Sequence, residues 1–163
     1  MHRGRGSSGR KVPKAHGSKH QAKQSSFGKT RRIVRYLNRQ TIEELHRAII
    51  FATHNKIAER SFILNPSALE LALELPKKCL YGQEIYPDLF EKAAVLMREL
   101  IKGHPFEAAN KRTGYMAAVI FLSENGVDIE SSIDDAVTLT LRIAMDKAGV
   151  EEVAEWLRNH SSH

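Results

Sequence analysis

Cysteine is almost absent from this sequence, since Cys79 is the only one among 163 residues. A single cysteine can form neither a disulfide within the chain nor a zinc site of several cysteines, which agrees with a reducing compartment. Isolated cysteines usually pack as small hydrophobic side chains, so we expect Cys79 to be buried.

Long apolar runs are missing as well. Runs such as AAVIFL, Ala117 to Leu122, are far shorter than the roughly 20 residues that a membrane-spanning helix needs. No apolar stretch follows the basic start of the chain, as a secretory signal would require. We therefore expect no membrane segment and a cytoplasmic protein, whose hydrophobic content of 42% is ample for one core.

Acidic residues are absent from the first 40 positions, which hold 12 of the 25 lysines and arginines. The rest of the chain has 13 basic and 19 acidic residues, so the net charge of +6 describes the start of the chain and not the remainder. Residues 1–32 have almost no large apolar side chains and cannot offset the entropy of ordering, which predicts a disordered tail. This tail is either simply solvated or a cationic arm that contacts RNA, DNA or the acidic domain through salt-sensitive contacts.

Apolar residues recur at helical spacing from residue 33 onward, which predicts one all-α domain over 33–160. Thr41 and Glu44 have the spacing of a capping box, and Asn65 followed by proline is typical of a helix start. The predicted helices span 41–59, 65–75, 88–102, 110–124, 132–147 and 150–160. Residues 76–87 predict a loop or short hairpin, and 127–130 a short extended piece.

Two cations stand where one of these helices begins, in the stretch KGHPFEAANKRTG from residue 102 to 114. Asn110 is a good N-cap, which puts Lys111 and Arg112 in the first turn. The helix dipole opposes each cation there by about 0.3–1 kcal/mol, and a bound anion would reverse that cost because free amides and both side chains would converge on it. From the spacing alone, cations that point into water or pair with Glu107 are equally open.

His104 lies six residues before Asn110, close enough for a tight loop to bring its imidazole to the same anion. Histidine is the usual proton acceptor near neutral pH, and a base beside a bound phosphate suits transfer to a hydroxyl. Phe106 is expected to anchor the loop in the core. The alternative is that His104 is only a helix-terminal residue.

The stretch HPFEAANKRTG resembles the signature of the Fic/Doc family, which is His, often Pro, Phe, two variable positions, a small residue, Asn, Gly or Lys, and Arg. Flanking segments resemble the family too, among them YPDLFEKAAVLMRELIKG before the motif and AAVIFLSENG after it, so the resemblance covers 33–160. It implies a helical bundle with a short β-hairpin flap at 79–86. In the family this flap aligns the target peptide by strand pairing.

Fic members most often move AMP from ATP onto a protein hydroxyl, whereas the Doc branch, a toxin of toxin–antitoxin pairs, phosphorylates elongation factor Tu. Lys111 stands where AMP-transferring members have glycine, and Met116 where many have arginine. The resemblance therefore implies a Doc-like phosphotransferase that uses ATP and Mg²⁺ and acts on a Ser or Thr of an elongation-factor-like protein, with Fic-type AMP transfer as the alternative.

The resemblance also implies roles for single residues. His104 would be the catalytic base, and Phe106, counted with the cofactor-binding residues, would fix the loop. Asn110 and the helix-start amides would bind the nucleotide phosphates, while Lys111 and the catalytic Arg112 would neutralise the transferred charge.

Ala108 departs from the family, which has Asp or Glu at this position to help hold the magnesium ion. Glu107, one residue earlier, would have to supply the carboxylate, so the metal ligand is left unknown. A non-catalytic nucleotide-binding or regulatory protein is therefore a second hypothesis. The family's self-inhibitory Ser/Thr-x-x-x-Glu-Gly/Asn motif is missing from the sequence, which favours restraint by a separate antitoxin.

Overall fold

The computed structural model describes residues 33–54 and 62–162, so the predicted basic tail lies outside the described residues. The helices of the described part are α1 (Arg39–His54), α2 (Pro66–Glu74), α3 (Leu89–Lys102), α4 (Asn110–Glu124), α5 (Ile133–Ala144) and α6 (Val150–Asn159), with a 3₁₀ turn over Leu75–Lys77. The strands are β1 (Cys79–Leu80), β2 (Gln83–Glu84), β3 (Asp128–Ile129) and β4 (Ser161–Ser162). The predicted all-α fold with a short hairpin is confirmed.

Helix α3 is the centre of the domain and packs against α2, α4, α5 and α6. It starts with a capping box, because the Asp88 carboxylate accepts from the Phe90 and Glu91 amides while the Glu91 carboxylate accepts from the Asp88 amide. Its predicted apolar face is buried along most of its length, at Ala93, Leu96, Met97, Leu100 and Ile101. Each such large side chain contributes about 1.5–3 kcal/mol to folding, so this face fixes where both ends of α3 lie.

Helix α4 approaches α3 closely at Gly114. A Cβ atom at this position would lie 2.7 Å from Ile101 Cγ1 and 3.0 Å from the Met97 carbonyl oxygen. Only glycine therefore lets the first turns of α4 pack this near to α3, which brings the start of α4 close to the end of α3.

The start of α1 differs from the prediction. The helix begins at Arg39, and the side chain of Asn38 accepts from the Thr41 amide at 2.9 Å and from the Thr41 hydroxyl at 3.1 Å. Glu44 accepts from Gln40 rather than reaching back to a cap. The predicted capping box at Thr41 is wrong because asparagine, a stronger N-cap than threonine, precedes it by three residues.

The starts and ends of other helices follow the sequence signals. Asn65 caps α2 by accepting from the Ala68 amide at 3.1 Å, and Gly103 follows the last residue of α3. Helix α4 ends at Asn125 and Gly126, the latter with φ +81°. No helix in the described ranges is long and apolar enough to cross a bilayer.

The hairpin β1–β2 pairs Cys79 with Glu84 around a turn in which Tyr81 and Gly82 both have positive φ, as type I′ turns require. Cys79 is exposed, so its predicted burial is wrong. The reason is that two strands of two residues project from the bundle and have no buried face.

The hairpin is joined to the start of α3 by Lys92, whose Nζ donates to the Pro76 carbonyl at 3.0 Å and lies 3.1 Å from Glu84 Oε1. Ten residues of α3, about 15 Å, separate Lys92 from Lys102 at the other end of the helix. The hairpin therefore lies at the end of α3 opposite the loop that carries His104.

The predicted extended piece forms β3, which pairs antiparallel with β4. The Glu130 amide also donates to the His160 carbonyl at 2.8 Å. This pairing holds the start of α5 against the end of α6.

Candidate active site

The motif loop, residues 103–109, joins the end of α3 to the start of α4. Residues 62–65 run antiparallel to it, because the Leu64 amide donates to the Pro105 carbonyl at 2.8 Å and the Glu107 amide donates to the Phe62 carbonyl at 3.1 Å. The loop is therefore held by an extended segment on its outer side as well as by the two helices.

Asn110 does not cap α4 as predicted. The helix begins at Asn110 itself, after Ala109, which has φ 60° and provides no side-chain cap. Asn110 instead holds the motif loop, since its Oδ1 accepts from the Phe106 amide at 3.0 Å and its Nδ2 donates to the Phe106 carbonyl at 2.8 Å. The first turn of α4 is thus left without a cap from any described side chain, and its amides remain available to an anion.

Phe106 turns into the core with 2% of its surface exposed, which confirms the predicted anchor. Its ring stacks on the imidazole of His46 from α1, with centroids 3.8 Å apart and planes 8° from parallel. His104, two residues earlier, is exposed and has φ 46°. A left-handed non-glycine residue costs of order 1 kcal/mol, so the contacts around Phe106 offset a strained backbone that presents His104 to solvent.

A cleft of about 680 Å³ lies between the motif loop and α5. His104, Asn110, Lys111 and Arg112 all line it, whereas Phe106 lies beneath the loop and does not. The structure therefore brings together four of the five predicted site residues, and the fifth supports them. The volume lies within the range of about 300–1,000 Å³ typical of small-molecule sites.

The opposite wall of the cleft was not predicted from the sequence. It comes from α5, which contributes Ile133, Ala136, Val137, Thr140, Leu141 and Ala144. The available signal was a second apolar stripe at a spacing of four residues, in addition to the stripe that α5 buries. The cleft thus has a cationic wall and an apolar wall, a combination that suits a ligand with an anionic and an aromatic part.

Lys111 and Arg112 are both exposed, and neither forms an ion pair within residues 33–54 and 62–162. Arg112 donates a hydrogen bond to the Thr53 hydroxyl in the last turn of α1. The predicted alternative, a pair with Glu107, is therefore not formed. Two positive charges remain at the start of α4, where the helix dipole disfavours them.

Among the described residues, Glu107 is the only carboxylate that lines the cleft, and Ala108 lines it without a donor. No group of three or more metal-ligating side chains occurs in the part of the chain that the structure describes. Mg²⁺ commonly binds through one or two carboxylates together with substrate phosphates and water, and Glu107 is the described carboxylate that could contribute to such a site.

Comparisons with known proteins match the same region. The model of the Fic/DOC family matches residues 36–122. Toxin Doc of Mycolicibacterium smegmatis is 34% identical over 88 residues, which cover 53% of this chain and 68% of that protein. Protein kinase doc of Escherichia phage P1 is 39% identical over 71 residues, which cover 44% of this chain and 56% of the phage protein.

Proposed function

Because this chain belongs to the Fic/DOC family, we propose that it is a Doc-like toxin that transfers the terminal phosphate of ATP to a serine or threonine hydroxyl of a cytoplasmic protein. The observation that carries this proposal is the shared cleft, in which His104 lies beside a helix start with two cations that pair with no described carboxylate. Base, phosphate site and apolar wall are the components that phosphoryl transfer needs.

In the proposed reaction His104 accepts the proton of the target hydroxyl, whose oxygen attacks the γ-phosphorus. The bond from that phosphorus to the β–γ bridging oxygen breaks, and ADP leaves. Lys111, Arg112 and the first-turn amides of α4 hold the phosphates and offset the charge that develops on them. Lys111 favours phosphate transfer over AMP transfer, because it places a cation where AMP-transferring relatives have glycine.

A magnesium ion would neutralise the phosphates and orient them for displacement. Glu107 is the side chain that would hold it, together with phosphate oxygens and water. A single carboxylate gives a weak site, so we expect the metal to bind with the nucleotide rather than before it.

We assign alignment of the target peptide to residues 62–65 rather than to the predicted flap at 79–86. Residues 62–65 already pair with the motif loop, so a peptide that adds to their other edge, which pairs with no described strand, would lie near His104. The hairpin, in contrast, is attached to α3 about 15 Å away along the helix. An elongation-factor-like target rests on the family alone.

An antitoxin would bind the exposed apolar stripe of α5. Ile133 is 82% exposed, and Val137, Leu141 and Met145 follow at helical spacing. Because Ile133, Val137 and Leu141 also form the apolar wall of the cleft, an amphipathic helix of the antitoxin on this stripe would restrict access to the cleft.

Labelling with radioactive ATP tests the proposal. The protein incubated with γ-labelled ATP, Mg²⁺ and cell extract should label a protein, and His104→Ala should lower labelling about 100-fold or more, because a general base contributes that much. Label transferred from α-labelled ATP would instead establish AMP transfer.

A non-catalytic, nucleotide-binding protein is the second candidate, and Ala108 is the observation that favours it. ATP would then bind without transfer of either label under any metal. Transfer gained by Ala108→Asp, with none in the wild type, would establish this alternative and contradict the proposed toxin activity.

We also propose that the basic tail, residues 1–32, contacts nucleic acid, since its lysines and arginines are not balanced by any acidic residue. Deleting residues 1–32 should abolish binding to a fluorescent RNA at low salt, and binding by the full chain should fall steeply as salt rises. RNA binding that survives the deletion would exclude the tail as the contact.

A further inference from the structure

Three of the five buried polar side chains in the described residues lie around Phe106. The five are His46, Lys92, Asn110, Thr113 and Thr140. Asn110 bonds to the Phe106 backbone, His46 stacks on the Phe106 ring, and Thr113 shares a hydrogen bond with His46. Burying polar groups in a core is costly unless they bond to one another, and a bonded set fixes one arrangement more strictly than apolar packing does. Their concentration around Phe106 indicates that buried side chains beneath the motif loop fix its geometry.

His46 contacts both elements that form the phosphate site. Its ring stacks on Phe106 of the motif loop, and its Nδ1 shares a hydrogen bond of 3.0 Å with the Thr113 hydroxyl in the first turns of α4. Thr113 is fully buried, and its amide donates to the Ala109 carbonyl at 2.9 Å. One imidazole on α1 therefore links the residue that anchors the loop to the helix that carries Lys111.

The link continues to the reactive histidine. Phe106 is bound on both its amide and its carbonyl by Asn110, whose Nδ2 lies 3.5 Å from His104 Nδ1. A shift of the Phe106 ring would therefore move the backbone that sets the position of His104. An apolar side chain at position 46 could fill the same space, but it could not bond to Thr113 and so would leave the ring free to slide along α4.

We infer that His46 is a positioning residue that fixes the separation between His104 on the motif loop and the cations at the start of α4. It does not line the cleft, and it acts through Phe106 and Thr113. The kinetic test of this inference depends on the proposed function, whereas its hydrogen-exchange test does not.

The kinetic test uses three variants of the full chain. His46→Phe keeps an aromatic ring and removes the hydrogen bond, Thr113→Val removes the same bond from the other side, and the third variant combines both changes. Each single change should lower the rate of phosphate transfer at saturating ATP about 10- to 100-fold, because small misplacements of reacting groups cost that much, while the KM for ATP stays unchanged.

The double variant should be no slower than either single variant, since both remove one bond. Ile143→Val is the matched control, because Ile143 is also buried in the core but neither lines the cleft nor belongs to the motif loop, and it should leave the transfer rate unchanged. The inference would be overturned if the double variant lost transfer rate by the product of the two single losses. It would also be overturned if folded His46→Phe and Thr113→Val both transferred phosphate at the wild-type rate.

Hydrogen exchange of the Phe106 amide tests the same idea without any activity. This amide donates to Asn110 Oδ1, and its protection in the nucleotide-free protein should fall about 10-fold or more in His46→Phe and Thr113→Val but not in Ile143→Val. Unchanged protection in both loop variants would overturn the positioning role, whereas absence of transfer by the wild type would overturn the proposed function alone.

Discussion

Lys92 and Lys111 carry the same charge in opposite surroundings. Lys92 is 1% exposed, and its ammonium donates to the Pro76 carbonyl and contacts Glu84 at 3.1 Å. Lys111 is exposed on the first turn of α4, where it forms no ion pair with the described residues and where the helix dipole opposes it. The fold pairs the buried charge of Lys92 internally, whereas we propose that a bound phosphate is the partner of Lys111.

The largest effect that this comparison predicts is on stability. Lys92→Ala should lower the free energy of unfolding by about 2–3 kcal/mol, because it opens a cavity and leaves the Pro76 carbonyl without its donor. The loss is smaller than for a fully buried ion pair, since the side chain of Glu84 is 46% exposed and can be hydrated.

Urea unfolding followed by circular dichroism measures this loss, and phosphate transfer per folded molecule should stay at the wild-type rate. Glu84→Gln is the matched control and should cost less than about 1 kcal/mol, as exposed partners usually do. A Lys92→Ala protein with wild-type stability would show that the pairing of Lys92 is not what the fold depends on.

The smaller effect has the opposite sign. Lys111→Gln should raise the free energy of unfolding by about 0.3–1 kcal/mol at low salt, because it removes a cation from the positive end of a helix dipole while helix propensity stays nearly equal. The gain should shrink as salt screens the dipole. A destabilised Lys111→Gln protein would indicate that Lys111 makes a stabilising contact within the fold, and it would remove the contrast with Lys92.

Much of the fold could be predicted because its signals are local. The apolar face of α3, the cap at Asn65 and the stop at Gly126 each depend on residues close together in the chain, and all three are confirmed. The start of α1 was misplaced because the prediction followed the capping-box spacing of Thr41 and Glu44 and passed over Asn38, the stronger N-cap three residues earlier. The exposure of Cys79 was missed because burial of a hairpin depends on what packs over it.

The sequence predicted which loop residues line the candidate site, but not the opposite wall of the cleft or the side chains that support the loop. The spacing of His104, Lys111 and Arg112 placed them on one loop and helix start, and all three line one cleft. The α5 wall and the stack of His46 on Phe106 could not be foreseen, because each joins elements far apart in sequence. The left-handed Ala109 also escaped prediction, since alanine has no preference for that conformation and the loop alone imposes it.

Calorimetric titration with ATP and Mg²⁺ tests most directly whether the cations at the start of α4 bind phosphate. Lys111→Gln should weaken ATP binding about tenfold or more, because a charge-assisted contact to phosphate is lost. Lys147→Gln, which removes an exposed cation outside the cleft, should leave the affinity unchanged. Equal ATP affinity of the wild type and Lys111→Gln would contradict the assignment of this helix start as the phosphate site.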